Sequence, residues 1–164
     1  MFIFSLKVCK KRIYIYIALI GLLVMSMLCF LFFQKDNDKQ AICSNGKYNL
    51  CVKNNNERLE FLSQFGWEVL SEPTEITTIT IPAKFNSTYD KYNDIQKEQG
   101  LDLKKYQEKS CTRYTYQILN YKDSSQGVRA NLLVFDNKVI GGDISSMTLN
   151  GFIHGFFDPN KANV

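Results

Sequence analysis

The chain has 164 residues, which leaves room for one ordinary domain beside a short terminal segment. Its net charge of +4 does not indicate a nucleic-acid-binding protein, because residues 1–40 carry six basic and two acidic side chains whereas residues 41–164 carry 14 of each. The basic excess therefore lies beside the apolar N-terminal segment and bears on membrane topology.

Residues 13–33 form an uncharged run of 21 residues. As a helix this run spans about 31 Å and matches a hydrocarbon core of about 30 Å. More basic residues precede the run than follow it, which predicts a cytoplasmic segment over 1–12 and an extracytoplasmic location for everything after the anchor. The alternative is a cleaved signal peptide. The length of the run and the lack of a small-x-small site favour an uncleaved signal-anchor, which makes the chain a single-pass cell-membrane protein.

Residues 34–55 are polar and are predicted to be a linker, with a short hairpin near residues 47–52. Cys43 and Cys51 in this stretch are a candidate disulfide in an extracytoplasmic setting. The alternative is that all external thiols are unpaired and that Cys111 is a small buried hydrophobe in a strand. The sequence has no CxxC motif and its single histidine is His154, so neither a metal site nor a cofactor is predicted.

Two helices and one strand are predicted in the first half of the domain. Asn54-Asn55-Asn56 can cap a helix over 57–65, which Gly66 ends. A β-branched run over 75–82 favours a strand, and the capping-box pattern Ser87-x-x-Asp90 begins a second helix, which ends at Gly100.

The second half has the alternation of an antiparallel sheet, with strands expected over 112–119, 128–134 and 138–144. Asp136-Asn137 suits a two-residue hairpin turn, and Gly141-Gly142 indicates a bulge or a close backbone approach. We therefore predict an α+β domain over 56–158, with two helices packed on a three- or four-stranded antiparallel sheet, and a tail over 159–164. One sheet face should be covered by helices, and the other can face water.

Short motifs occur in a distinctive order between about residues 57 and 157. The motifs are Arg58-Leu59-Glu60-Phe61-Leu62, Phe65-Gly66-Trp67, Ile81-Pro82, Phe85-Asn86, Tyr92-Asn93, Gln96-Lys97, Gln99-Gly100-Leu101-Asp102-Leu103, Arg113-Tyr114-Thr115-Tyr116, Ala130-Asn131-Leu132-Leu133-Val134, Ile140-Gly141-Gly142-Asp143 and Gly151-Phe152-Ile153-His154-Gly155-Phe156. This series resembles the bacterial domain-of-unknown-function family 4830. The resemblance implies a membrane-tethered outer domain in a Gram-positive-type bacterium, and it brings no activity, ligand or site residue.

Aromatic residues are the one surplus in the domain, and Tyr and Trp give a binding surface large contact area at low entropy cost. The alternative is that most of them belong to the core. A tyrosine-rich sheet face with neighbouring polar groups is the candidate binding surface, and its residues are Trp67, Arg113, Tyr114, Tyr116, Asp143 and His154.

The sequence favours a non-enzymatic, membrane-anchored extracytoplasmic module that binds an envelope protein or a cell-wall component. The alternative is an extracytoplasmic enzyme or thiol-active protein with Cys111 as nucleophile and His154 as base. A structural histidine and a packed cysteine explain the same two residues without catalysis. Gly141-Gly142-Asp143 lacks the glycine spacing and the lysine of a phosphate-binding loop.

Overall fold

The computed structural model describes residues 14, 16, 19–29, 40–43, 46–122, 127–148 and 151–158. The chain divides into two compact units, Met1–Asp38 and Lys39–Val164. In the first unit, residues 19–29 belong to helix α1 and their side chains are exposed. Among the described residues, no helix combines the length and the apolarity needed to cross a membrane. The predicted anchor over 13–33 falls partly on positions outside the described residues, so it stays a prediction.

The second unit has the predicted α+β composition. Its elements in chain order are β1 (Gln40–Cys43), β2 (Gly46–Asn49), α2 (Asn55–Ser63), β3 (Glu75–Thr80), α3 (Ser87–Glu98), a 3₁₀ turn (Leu103–Tyr106), β4 (Ser110–Ile118), β5 (Val128–Phe135), β6 (Lys138–Ser146) and β7 (Ile153–His154).

The main sheet is an antiparallel meander in the order β3-β4-β5-β6-β7. The described part of the chain therefore contains five strands in this sheet, whereas three or four were expected. The additional strand is β7, which pairs with β6 through only two residues, Ile153 and His154. So short a strand has no alternating pattern of its own, and its pairing with β6 creates it.

Helix α2 packs on one face of the sheet, called here the α2 face. Along β5 this face carries Val128, Ala130, Leu132 and Val134. Phe61 and Leu62 of α2 join the same core cluster with 1% and 0% exposure. Each large apolar side chain buried in this way contributes about 1.5–3 kcal/mol. This cluster is therefore the main source of the domain's stability.

Helix α3 and the 3₁₀ turn lie against the opposite face, called here the α3 face. A smaller cluster joins Leu103 of the 3₁₀ turn to Cys111, Leu133 and Ile140 of the sheet. Tyr92 of α3 packs against the same cluster. The two helices thus lie on opposite faces, and the α3 face is apolar where the 3₁₀ turn covers it.

Part of the predicted linker belongs to the packed domain. Tyr48, Leu50 and Val52 have 6%, 2% and 1% exposure and join the core cluster with α2. β1 and β2 form an antiparallel pair within the stretch assigned to a linker over 34–55. Three buried side chains alternate with polar residues in this stretch. Its high content of asparagine and lysine favours a linker, and the burial of the three side chains results from their packing against α2.

Local turn and cap chemistry is confirmed at several positions. Asn54 caps α2, since its side chain accepts a hydrogen bond from the backbone N–H of Glu57 at 2.9 Å. The hairpin residues Asp136 and Asn137 have φ of 48° and 59°, as a two-residue turn of this kind requires. The cap of α3 is Asn86, not the predicted Ser87, because the Asn86 side chain bonds the N–H of Tyr89 at 3.0 Å.

The glycine pair of β6 permits a close approach of α3, as predicted. The Gln96 side chain accepts a hydrogen bond from the N–H of Gly142 at 2.8 Å, and Gln99 donates to the carbonyl of Gly142 at 3.2 Å. Gln99 also accepts from the N–H of Phe156 at 2.6 Å. Two buried glutamines therefore join α3, β6 and the C-terminal segment.

We expect Gly142→Ala to lower the free energy of unfolding by about 1–3 kcal/mol, the usual cost of overpacking. A Cβ at this position would lie 2.2 Å from the carbonyl oxygen of Asn131 and 2.4 Å from Cζ of Phe156. Chemical denaturation of the full chain in detergent, followed by the fluorescence of Trp67, measures the change.

Gly141→Ala is the matched control. Its new Cβ meets first the tip of the Leu103 side chain at 2.9 Å, and this tip can move. A loss of stability as large for Gly141→Ala as for Gly142→Ala would contradict the close-approach account.

Candidate functional site

Polar side chains of three neighbouring strands share the α3 face beyond the 3₁₀ turn. The register pairs Thr115 with Asn131 and Asn131 with Asp143, so these three residues form a row across β4, β5 and β6. The next row pairs Arg129 with Ser145. Because directly paired residues lie on the same side of an antiparallel sheet, the two rows form a polar patch.

This patch is the floor of a pocket of about 320 Å³. Aliphatic side chains stand at its margins, and Tyr92 of α3 reaches over it. The lining residues are Ile79, Tyr92, Arg113, Arg129, Asn131, Leu133, Asp143, Ser145 and Ile153. The pocket thus combines charged and hydrogen-bonding groups with apolar walls, the usual composition of a small-molecule site.

Asp143 is the most buried charged residue of this pocket, with 5% exposure. The hydroxyl of Tyr92 donates to its Oδ1 at 2.8 Å, and Nδ2 of Asn131 donates to its Oδ2 at 2.9 Å. No ion pair between described residues involves Asp143. Since a carboxylate has about four acceptor sites, two hydrogen bonds leave part of its capacity unused.

A hydrogen-bond chain fixes the orientation of Asn131. Thr115 donates from Oγ1 to Oδ1 of Asn131 at 2.9 Å, so the amide nitrogen of Asn131 faces Asp143 and Ser145. Both of these acceptors lie within 3.3 Å of that nitrogen. The floor of the pocket is therefore rigid and presents Asp143 in one position.

Tyr92 acts as a neutral donor. Burial raises the pKa of the Tyr92 hydroxyl well above its ordinary value of 10.0, and the charge of Asp143 and the hydrogen bond to it raise the pKa further. The hydroxyl therefore keeps its proton at neutral pH and holds Asp143. A phenol with a raised pKa is not an activated nucleophile.

Two arginines provide positive charge at the pocket. Nη2 of Arg113 lies 2.7 Å from Oε1 of Glu75, whereas the buried Nε of Arg113 has no hydrogen-bond partner among the described residues. Arg129 is exposed, and its Nε donates a long hydrogen bond to Oγ of Ser145 at 3.5 Å. Hydrogen bonding from Thr77 and then the guanidinium of Arg113 lower the pKa of Glu75, which is a carboxylate at neutral pH.

Of the predicted surface residues, Arg113 and Asp143 meet in this pocket. Tyr116 has 0% exposure, and its hydroxyl bonds Arg58 and Asn55 at 2.8 Å each. Tyr114 is half-buried under the guanidinium of Arg58, whose Cζ lies 3.9 Å from the ring centroid. Both tyrosines lie on the α2 face, so Tyr116 belongs to the core and neither residue faces the pocket.

Trp67 and His154 lie in a different cluster, together with Tyr121 and Phe152. Trp67 stacks on Tyr121 at a centroid distance of 5.5 Å, and Tyr121 stacks on Phe152 at 4.9 Å. His154 stacks on Phe152 at 5.5 Å, and both of its ring nitrogens lie within hydrogen-bonding distance of an oxygen, of Gly155 and of Tyr121 respectively. Trp67 itself has 4% exposure. His154 thus has the packed and hydrogen-bonded environment of a structural histidine.

The structure does not bring Cys111 and His154 together. Cys111 of β4 pairs with Ile79 of β3 and lies on the α3 face. His154 of β7 pairs with Ile144 of β6 and lies on the α2 face. Three strand spacings separate β4 from β7, which amounts to about 14 Å at roughly 4.8 Å per spacing. Burial also raises the pKa of the Cys111 thiol, which is the opposite of what an activated nucleophile needs.

The candidate disulfide involves one described side chain. Cys51 is a free, half-buried thiol, and the side chain of Cys43 lies outside the described residues. The Cys43–Cys51 pairing therefore stays a prediction. Within the described ranges, no group of three or more His, Cys, Asp or Glu side chains is placed to hold a metal ion.

A larger depression of about 500 Å³ lies beside α2. Its principal polar groups already have local partners. Glu57 accepts from the N–H of Lys53 at 2.6 Å, and Gln64 accepts from the N–H of Asn49 at 2.9 Å. These groups complete a helix cap and hold the β2 segment. The smaller pocket, which contains the buried carboxylate, is therefore the better candidate site.

The sequence interpretation missed five residues of the site. Tyr92 lies in the predicted second helix, and nothing in its sequence neighbourhood indicates that its hydroxyl reaches Asp143. The other four residues could have been found from the sequence. Polar residues recur at every second position of consecutive strands, which indicates a polar patch on one face of the sheet. These residues are Tyr92, Thr115, Arg129, Asn131 and Ser145.

Comparison with known proteins gives one match. The sequence model of the family described as "Domain of unknown function (DUF4830)" matches residues 61–144. These residues include α3 and β3–β5 and extend into β6 as far as Ile144, so they contain most of the pocket. No curated protein matches the chain significantly, and no solved structure does.

We expect Tyr92→Phe to lower the free energy of unfolding by about 1.5–3 kcal/mol, because a buried carboxylate loses a hydrogen-bond donor. Tyr89→Phe on the same helix is the control, since Tyr89 is 43% exposed and should lose almost nothing. Denaturation of the full chain at pH 7 measures both changes, and equal losses would contradict the assigned role of Tyr92.

The same variant changes the alkaline pH dependence. The folded state keeps the proton of Tyr92 at pH values where the unfolded chain releases it, so this tyrosine makes stability fall as pH rises above 10.0. Above pH 10, the free energy of unfolding of Tyr92→Phe should therefore fall less steeply with pH. The difference in slope should correspond to at most one bound proton. An unchanged slope would show that Tyr92 does not titrate differently in the two states.

Proposed function

The chain belongs to the DUF4830 family, and on that premise we propose that it is a membrane-anchored extracytoplasmic binding module whose binding site is the pocket on the α3 face. The observation that carries the proposal is the buried carboxylate of Asp143, which lies at the floor of an accessible pocket without an ion-pair partner among the described residues. An unpaired buried charge costs several kcal/mol, and a ligand that supplies the missing partner offsets this cost.

A binding role is favoured over catalysis by the protonation and packing of the groups involved. Tyr92 is a neutral donor, and Asn131 is held in one orientation by Thr115 and Asp143. Cys111 and His154, the residues on which an enzymatic interpretation rests, lie on opposite faces of the sheet. A rigid, prearranged set of donors and acceptors is what a binding site needs, because it lowers the entropy cost of binding.

The anchor is supported by the sequence. Residues 13–33 carry no charge over a length of 21 residues, and Lys7, Lys10, Lys11 and Arg12 precede them. The positive-inside rule places such a basic flank in the cytoplasm, and the domain then lies on the outer side of the membrane.

We expect a membrane-impermeant amine-reactive reagent to label the domain on intact cells. Lys84 and Lys91 are exposed and serve as reporters, whereas Lys7 and Lys10 should react only after permeabilisation. Mass spectrometry of the labelled peptides identifies the sites. Labelling of Lys7 and Lys10 on intact cells, with Lys84 and Lys91 protected, would reverse the proposed orientation.

A photoreactive residue at position 153 tests the pocket. Ile153 lines the pocket and is 48% exposed, and Ile76 is a matched control because it is 60% exposed and lies on the α2 face. After irradiation of cells that produce the full chain, mass spectrometry should find a discrete adduct on the position-153 variant and none of equal yield on the position-76 variant. Equal adducts at the two positions, or none at position 153, would argue against a binding role for the pocket.

A further inference from the structure

We infer that the pocket on the α3 face binds a free α-amino acid with an aliphatic side chain, an inference that rests on the proposed binding function. The ligand's ammonium group would lie against Asp143, and its carboxylate would lie against Arg129 and Arg113. The following observations on charge, spacing and pocket lining support this assignment.

Asp143 forms the cation-binding end of the pocket. Its carboxylate has 5% exposure and receives hydrogen bonds from two neutral donors, Tyr92 and Asn131. These two donors are uncharged, so Asp143 has no positive charge among its hydrogen-bond partners to offset its desolvation. An ammonium group adds both a positive charge and three donors, which suit the remaining acceptor sites of Asp143 and Oγ of Ser145.

The two arginines form the anion-binding end. Arg129 is exposed and forms no ion pair within the described residues. Its guanidinium can therefore bind a ligand carboxylate without breaking an existing ion pair. Arg113 also lines the pocket, and its buried Nε has no acceptor among the described residues. A planar guanidinium suits a carboxylate because it can donate two parallel hydrogen bonds.

The two ends have the spacing of a small zwitterion. Asp143 pairs directly with Asn131, and Arg129 is two residues from Asn131 on the same side of β5. Such diagonal neighbours are about 7–8 Å apart at the backbone. Their side chains converge on the pocket, so groups only a few bonds apart in a ligand can reach both of them.

The balance of charges selects against simpler ligands. The two arginines and the two carboxylates, Asp143 and Glu75, give this part of the domain no net charge. A monoanionic ligand is attracted by the arginines but repelled by Asp143. A monocationic ligand is attracted by Asp143 but repelled by the arginines. A zwitterion satisfies both ends, and double pairing of this kind is how a site gains specificity from charge.

The walls and the volume indicate the type of side chain. Ile79, Leu133 and Ile153 are the aliphatic lining, and about 320 Å³ lies at the lower end of the roughly 300–1,000 Å³ range for ligand pockets. An aliphatic amino acid fits these limits, because its side chain can contact the three aliphatic residues while its charged groups contact the floor.

Isothermal titration calorimetry of the full chain in detergent micelles tests the inference with three probes that share the isobutyl group of leucine. L-Leucine carries both charged groups, 3-methylbutylamine lacks the carboxylate, and 4-methylpentanoate lacks the ammonium. We expect L-leucine to bind and each analogue to bind about tenfold more weakly or worse, because one charge-assisted contact is lost. Equal affinity of either analogue and L-leucine would overturn the inference in favour of a simple cation site or a simple anion site.

Three variants assign the contacts. Arg129→Gln and Asp143→Asn should each weaken L-leucine binding about tenfold or more, whereas Lys91→Gln on the exposed side of α3 should leave it unchanged. Arg129 is exposed, so Arg129→Gln keeps the test valid even if Asp143→Asn fails to fold. Unchanged binding by Arg129→Gln would contradict the assigned anion-binding end.

The outcomes separate this inference from the function on which it rests. Photo-adducts at position 153 without binding of L-leucine would overturn the amino-acid assignment and leave the binding module intact. The absence of both would remove the binding function itself.

Discussion

The structure of the domain depends on the hydrogen bonds between the helix α3 and the backbone of Gly142. Gln96 and Gln99 have 0% and 2% exposure and bond the N–H and the carbonyl of this one residue. They satisfy the edge of β6 next to the point where the two-residue strand β7 pairs with it. A buried backbone group without a partner costs about 1–3 kcal/mol, so the two glutamines replace a longer edge strand. Only glycine allows this, since a Cβ would lie 2.2 Å from the carbonyl oxygen of Asn131.

The same contact creates the pocket. By fixing α3 to β6, the glutamines place Tyr92, one turn earlier in the helix, where its hydroxyl reaches Asp143 at 2.8 Å. Because α3 and the 3₁₀ turn cover only the end of this face near Leu103 and Ile140, the polar rows that contain Asn131 and Ser145 are left beside an accessible space. On the opposite face, α2 packs Phe61 and Leu62 into the larger core cluster. The α2 face thus carries the larger core cluster, whereas the α3 face carries a smaller cluster and the polar pocket.

The burial of the Asp143 carboxylate is not explained by the stability of the domain. Replacing a buried ion with well-packed apolar groups is often neutral or stabilising, so the stability of the domain alone does not require a carboxylate at this position. The domain nevertheless buries this carboxylate under Tyr92 and Asn131, whose own orientation is fixed by Thr115. Groups with this combination of burial, rigidity and incomplete charge balance are common at functional sites. The pocket is therefore a better candidate for a functional site than the aromatic cluster around Trp67.

The sequence by itself determined the local structure and two of the site residues. Asn54, Gly66 and the pair Asp136-Asn137 act through interactions with near neighbours, and so their caps and turns were predictable from residue type. Alternation predicted β4, β5 and β6, and Arg113 and Asp143 were among the candidate binding residues. Tertiary structure decided the rest. The burial of Tyr48 depends on α2 and on Gln99, which is 51 positions away. The contact of Tyr116 with Asn55 spans 61 positions, and the contact of Tyr92 with Asp143 spans 51. Periodicity identifies which side chains share a face, but it does not say which face a helix covers, because that choice is made by packing between segments distant in the chain.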